Sequence, residues 1–273
     1  STPGRTLFPY TTLFRSISHR HHRFLAGTRD WHKLIQAVIE RVAKATGARL
    51  IDFYTPLLPF PQMFPDGLHP NKAGAGVLAR VVYEALTGDY GGLQMPLVFS
   101  DNMVVRRNRD FDVYGTANAG QRVVATFNGE KHSTVAQNDG TWRIVFAPPR
   151  VGKPYTLVVT SEQRTLRFKN IVAGEVWLCS GQSNMAFPLA NDMLVKETLK
   201  TANDPNLRVL NFLPRWDTND TEWPQSALDS TNNLQYMRSK GWQQATSKNM
   251  GEVSAVAYYF AKVLRDSLKI PVG

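Results

Sequence analysis

Between about Leu93 and Val172 the sequence follows one grammar: short runs of Val, Thr and aromatic residues, each closed by a turn former. Asp112 to Tyr114, Arg122 to Phe127, Trp142 to Phe146 and Tyr155 to Thr160 have the length and composition of strands. Asn128-Gly129 and Asp139-Gly140 punctuate them, and both pairs accept the positive φ angles of a two-residue hairpin turn. A stretch this long with strands at this spacing predicts a small β-sandwich over residues 93–172. The helical periods must then belong to other layers.

Those periods stand on either side. Trp31 to Thr46 carries Leu34, Ile35, Val38, Ile39, Val42 and Ala43 on one helical stripe, and Gly47 suits the residue just past a helix end. Ala48 to Tyr54 reads as a short strand. After a proline-rich loop comes Asp66-Gly67-Leu68-His69-Pro70, with Pro70 suited to the first turn of a helix that runs from Ala73 to Leu86. Residues 18–91 are thus expected to form part of an α/β layered domain. Downstream, Glu175 to Ser180 (EVWLCS) reads as a buried strand, and Asn206 to Phe212 as another. Val253 to Leu268 reads as a helix with Val256, Tyr259, Phe260, Val263 and Leu264 on one stripe, and Ile270 to Val272 opens a further strand. Residues 173–273 are a second α/β piece, so the fold class is α/β plus all-β.

The 273 residues, 42% hydrophobic and 20% charged, describe a globular chain, and no apolar run has the length of a membrane span. One cysteine, Cys179, excludes an intrachain disulfide, and it reads as a small core hydrophobe on its strand. Trp177 and Trp242 read as core and His132 as surface. The net charge of +10 raises the question of an acidic partner. Arg5, Arg15, Arg20, Arg23 and Arg29 against Asp30 concentrate +4 of it in the first 30 residues. The remaining surplus is scattered along the sequence without a basic stripe, so nucleic acid is not expected as a partner. Thr6 to Ser16, TLFPYTTLFRS, fits neither structural period and looks like the frame translation of a sequencing adapter, so residues 1–17 are set aside as artefact or disorder. His19, His21 and His22 follow without the further ligand a metal site needs, and no metal is expected.

Two motifs carry chemistry. Gly181 to Met185, GQSNM, places Ser183 where a strand meets a loop, the edge at which open α/β sheets present their ligands. Gly181 permits a tight turn, and the Ser183 N–H can point at an oxyanion. Gln182 and Asn184 flank the serine as candidates to line an acyl site, although either could equally satisfy the loop. Met185 stands where an α/β-hydrolase elbow has its last glycine, which disfavours that fold. The second motif is Asp66-x-x-His69. A three-residue offset across a turn can set an imidazole base beside an orienting carboxylate, or only a loop histidine beside a capping aspartate.

AGEVWLCSGQSNMAFPL (Ala173 to Leu189) resembles the first block of the sialate O-acetylesterase family, LQMPLVFSDNMVVRRN (Leu93 to Asn108) the opening of its β-sandwich, and Gly251 to Gly273 the helix and strand after its nucleophile. The resemblance implies a serine esterase that removes acetyl groups from carbohydrate, typically O-acetylated sialic acid, with Ser183 as nucleophile and no cofactor. Acetyl xylan is an alternative substrate, and a non-catalytic, sugar-contacting or spacer β-sandwich is an alternative role. DGLHPNKAGAGVLARVV (Asp66 to Val82) is similar to the last block of SGNH (GDSL-like) esterases, which are flavodoxin-like; it implies His69 as general base and Asp66 as its carboxylate. In the single-domain pattern Asp and His come last, whereas here they precede the serine. The order predicts the tail of one esterase domain, a sandwich, and the head of a second domain, with the gene continuing at both ends and the two motifs in separate sites. The resemblance also implies a periplasmic or secreted location.

Overall fold

The computed structural model describes residues 6–7, 37–53, 55–57, 63–64, 69–162, 164–214 and 237–273. The chain forms two compact units, Ser1–Gly88 with Pro214–Met237, and Asp89–Leu213 with Arg238–Gly273.

In the first unit, strands β1 (Thr6–Leu7) and β2 (Arg49–Leu50) pair in parallel, and helix α1 spans residues 37–46. Thr6 and Leu7, in the stretch set aside as artefact, thus hold a strand position, and the strand expected over Ala48 to Tyr54 contracts to two residues. Of the expected α1 stripe, Ala43 is buried but Val38 and Val42 are about half exposed; Leu34 and Ile35 lie outside the described residues. Helix α2 (Lys72–Thr87) is capped by Asn71, whose side chain accepts from the Gly74 N–H at 3.0 Å. Pro70 therefore precedes the cap instead of occupying the first turn. The cap makes physical sense, because an Asn side chain satisfies an orphan N–H that a proline cannot reach. Gly88, at φ 71°, ends the helix.

One part of the second unit is two sheets around one core. Five strands, β3 (Val104–Arg106), β9 (Arg164–Gly174), β8 (Tyr155–Ser161), β5 (Arg122–Phe127) and β6 (Glu130–Val135), form one sheet in that order. β4 (Phe111–Thr116) and β7 (Thr141–Phe146) pair as the other. Alternation directs Val123, Ala125, Phe127, Leu157 and Val159 from the first sheet, and Val113, Trp142, Ile144 and Phe146 from the second, into the same apolar cluster. Phe127 shows how closely the sheets meet: its ring centre is 4.8 Å from that of Phe111 and 5.6 Å from that of Phe146.

Asn128-Gly129 makes the β5–β6 hairpin, with φ of 51° and 80° at its two residues. Asp139-Gly140 does something else. It carries the chain from β6 to β7, which belong to different sheets. Gly140 (φ 78°) lies under the Tyr90 ring, where a Cβ would come within 2.4 Å of it. A turn-forming pair fixes local backbone twist, and which sheet the next strand joins is decided by packing.

β9 links the two-sheet part to the α/β part. Its first residues pair antiparallel with β8 and its last three pair parallel with β3. The same chain then enters a parallel ladder with residues 271–273: Glu175 N–H donates to Pro271 O at 3.0 Å, Gly273 N–H to Glu175 O at 2.9 Å, and Trp177 N–H to Gly273 O at 2.9 Å. On the far side of that segment, Val272 N–H donates to Asn206 O and Arg208 N–H to Val272 O. Strand β10 (Asp204–Leu210), which carries those residues, pairs antiparallel with β11 (Trp242–Ala245). Helix α5 (Ala255–Leu268) covers this mixed sheet through Ala255 and Tyr258, with Tyr259 and Leu264 at its margin. Val256, Phe260 and Val263 of the expected stripe are exposed, so the buried face is rotated from the one the apolar residues outline.

Arg208 ties the two parts together. It is 3% exposed, yet among the described residues no carboxylate pairs with it. Its guanidinium donates instead to Asn102 O at 2.9 Å, Asn170 O, Pro205 O at 2.9 Å and Asn170 Oδ1 at 3.3 Å. Asn102 and Asn170 both adopt positive φ (66° and 55°), which turns their carbonyls toward the arginine. Burial pushes the guanidinium down to about 10, which leaves it charged at neutral pH.

Candidate functional site

The segment before the serine departs from expectation. Only residues 175–177 of EVWLCS join a ladder; Leu178 is 94% exposed and Cys179 is exposed too. No strand flanks residues 178–180 among the described residues, and a strand without neighbours is not buried. The core assignment of Cys179 falls for the same reason. Trp177 is also half exposed, its ring edge-on to Phe260 of α5 at 5.2 Å. Trp242 does join the core, its indole N–H donating to Val98 O at 2.9 Å, and His132 is on the surface beside Glu130.

Ser183 opens the one-turn helix α3 (Ser183–Ala186), which closes with Ala186 N–H donating to Gln182 O at 2.9 Å. The turn is held from behind by the start of α5. Leu189 N–H donates to Val253 O at 2.8 Å and Ala255 N–H to Phe187 O at 2.9 Å. Ser254 caps α5 by accepting from Ala257 N–H at 3.3 Å, and its hydroxyl lies 3.3 Å from Met185 Sδ. A second tie lies further along, where Tyr259 OH donates to Asp192 Oδ1 at 3.1 Å and meets Thr198 Oγ1, on helix α4 (Val195–Lys200), at 3.0 Å. Sequence reading missed Ser254, Tyr259 and Asp192 as supports of the serine turn. The signal was present for Ser254, a serine directly before an apolar helical run.

Gln182, Ser183 and Asn184 are all exposed and share this turn. None of the hydrogen bonds among the described residues engages the Ser183 hydroxyl. His69 is exposed, two residues before the α2 cap, and belongs to the first unit, whereas Ser183 belongs to the second. Asp66 lies outside the described residues. Among the described residues no group of three or more His, Cys, Asp or Glu is placed to hold a metal ion, and no helix is long and apolar enough to cross a membrane. Chemically, the turn offers a solvent-accessible hydroxyl, a free-standing N–H at a helix start, and two amide side chains, the elements of acyl transfer short of the base.

No family model matches the chain. Over 154 residues, 53% of this chain and 27% of the relative, it is 30% identical to the sialate O-acetylesterases of Pongo abelii and of Homo sapiens. About half of the chain is thus similar to part of the sialate O-acetylesterases. It spans about a quarter of the length of those curated relatives. A solved structure agrees: a carbohydrate acetylesterase from Xanthomonas citri superposes with a TM-score of 0.56 at 29% identity, covering 66% of this chain and 38% of that one. These relatives are acetylesterases and hence carboxylic ester hydrolases, and the mixed α/β architecture is shared with one of them.

Proposed function

We propose that Ser183 is the nucleophile of a serine O-acetylesterase acting on carbohydrate, most fittingly O-acetylated sialic acid. The observation that carries this reading is the exposed serine turn a few residues beyond a parallel ladder, held by α5, in a chain similar to acetylesterases. In the reaction Ser183 Oγ attacks the acetyl carbonyl as an imidazole takes its proton. The Ser183 N–H stabilises the oxyanion, and the sugar hydroxyl leaves with the proton. Water then releases acetate from the acyl-serine. Gln182 and Asn184 line the acetyl site, whereas Asp66 and His69 are the carboxylate and base of a second site of the same chemistry. In the same reading residues 93–172, with two sheets on one core, are a β-sandwich, and the segments around it are SGNH-type α/β pieces.

The test is acetate release from O-acetylated sialic acid and from acetyl xylan by wild type, Ser183→Ala and His69→Ala. Ser183→Ala should lower kcat/KM by about 10³-fold or more. If one site uses both residues, His69→Ala produces a comparable loss; if they serve two sites, its effect is independent of Ser183. Unchanged turnover in Ser183→Ala would end the nucleophile assignment. The unengaged Ser183 hydroxyl favours a second reading, a non-catalytic body that contacts or spaces sugars. Carbohydrate binding without acetate release from any acetylated sugar would establish it.

A further inference from the structure

Three of the cations that are scattered in the sequence gather on one sheet face of the fold. The register of the five-stranded sheet places Arg167, Val158, Thr126 and Lys131 side by side across β9, β8, β5 and β6. The adjacent row on the same face reads Thr165, Thr160, Val124 and Ser133, and Arg122 follows one row further along β5. These residues alternate with the buried Val123, Ala125, Phe127, Leu157 and Val159, so they form the outer, solvent side of the sheet. Arg122, Lys131 and Arg167 are exposed, and among the described residues none of them makes an ion pair. Glu130, next to Lys131 in β6, pairs with His132, and Glu162, in the turn after β8, is exposed. Arg122 reaches only the hydroxyl of Ser133, at 3.2 Å. Arg167 and Lys131 are three strand spacings apart, about 14 Å.

We infer that this face binds an acidic polysaccharide, a carboxylate-bearing glycan chain lying across the strands. Three cations supply charge complementarity over a length that suits several sugar units rather than one small anion. The hydroxyls of Thr126, Ser133, Thr160 and Thr165 supply the donors and acceptors that sugar hydroxyls and carboxylates use. Neither row contains an aromatic ring, so the face has no platform for stacking bases, which single-stranded nucleic acid binding requires. The inference uses no residue of the serine turn and stands apart from the esterase reading.

The experiment measures binding of the full chain to sodium polygalacturonate, with dextran as neutral polymer and poly-dT as nucleic acid, at 50 and 200 mM salt. Polygalacturonate should bind, weaken with salt as charge contacts do, and lose at least tenfold in affinity in Arg167→Glu/Lys131→Glu. Arg167→Lys/Lys131→Arg should retain binding within about twofold, which separates charge from misfolding. Lys196→Glu/Lys248→Glu removes the same net charge from exposed positions off this face and should also leave affinity within about twofold. Equal loss in both charge-reversal pairs, tighter binding of poly-dT than of polygalacturonate, or no polygalacturonate binding at 50 mM salt would each overturn the assignment.

Discussion

At the scale of single residues, Arg208 and Tyr258 present opposite cases of buried polarity. Arg208 is buried but answered by four carbonyl or amide oxygens. Removing it leaves those acceptors dry and unpaired. Arg208→Ala should therefore lower the unfolding free energy of the second unit by about 3 kcal/mol, measured by urea denaturation, which is the usual consequence of deleting a buried charged donor. Tyr258 is 2% exposed and its hydroxyl has no hydrogen-bond partner among the described residues. Burial, with Tyr259, Asp266 and Asp204 adding to it, raises its pKa. Tyr258→Phe removes an unpaired hydroxyl and keeps the ring, so stability should hold or rise by up to about 1 kcal/mol. A loss of more than 1 kcal/mol would show that the hydroxyl is bonded in solution.

At the scale of elements, the serine turn depends on how α5 begins. Ser254 both caps the helix and touches Met185 behind α3. Ser254→Ala should cost about 1 kcal/mol as a lost cap, and it should also speed amide exchange at Ala186 and Leu189, which a purely local cap effect would leave unchanged. The ladder that delivers the turn depends on Gly174. A Cβ there would stand 2.1 Å from Pro271 O, which is backbone and does not yield easily. Gly174→Val should thus expel residues 271–273 from between β9's continuation and β10, seen as loss of exchange protection at Val272. Turn signals in the sequence located the hairpin at Asn128-Gly129 correctly because φ preference is a local property. The same kind of signal at Asp139-Gly140 could not say that β7 joins the other sheet, because that depends on Tyr90 and the shared core.

At the scale of the whole chain, the second unit joins what sequence patterns separate at residue 173. β9 runs through both parts and Arg208 bridges them, so Val159 in the two-sheet core and Val272 in the mixed sheet should lose exchange protection at one urea concentration. Arg208→Ala should split that into two transitions. The strand periods, the α2 and α5 helices and the serine turn were legible because each is a short-range pattern of residue types. The buried face of α5 was not, since apolar residues outline one stripe and packing selects another. The burial of EVWLCS was not legible either, since it depends on neighbouring strands that the local run does not contain. By itself the sequence determined where most of the sandwich-region strands it named, the Asn128-Gly129 hairpin and the α2 and α5 helices lie, and it marked the turn that carries Ser183, since those follow from residue spacing and backbone preference. Only the tertiary structure decided that an arginine inside an apolar strand clamps two asparagine carbonyls, and that Arg122, Lys131 and Arg167, up to 45 positions apart, share one sheet face. Both outcomes rest on strand register and long-range pairing, which no local pattern encodes.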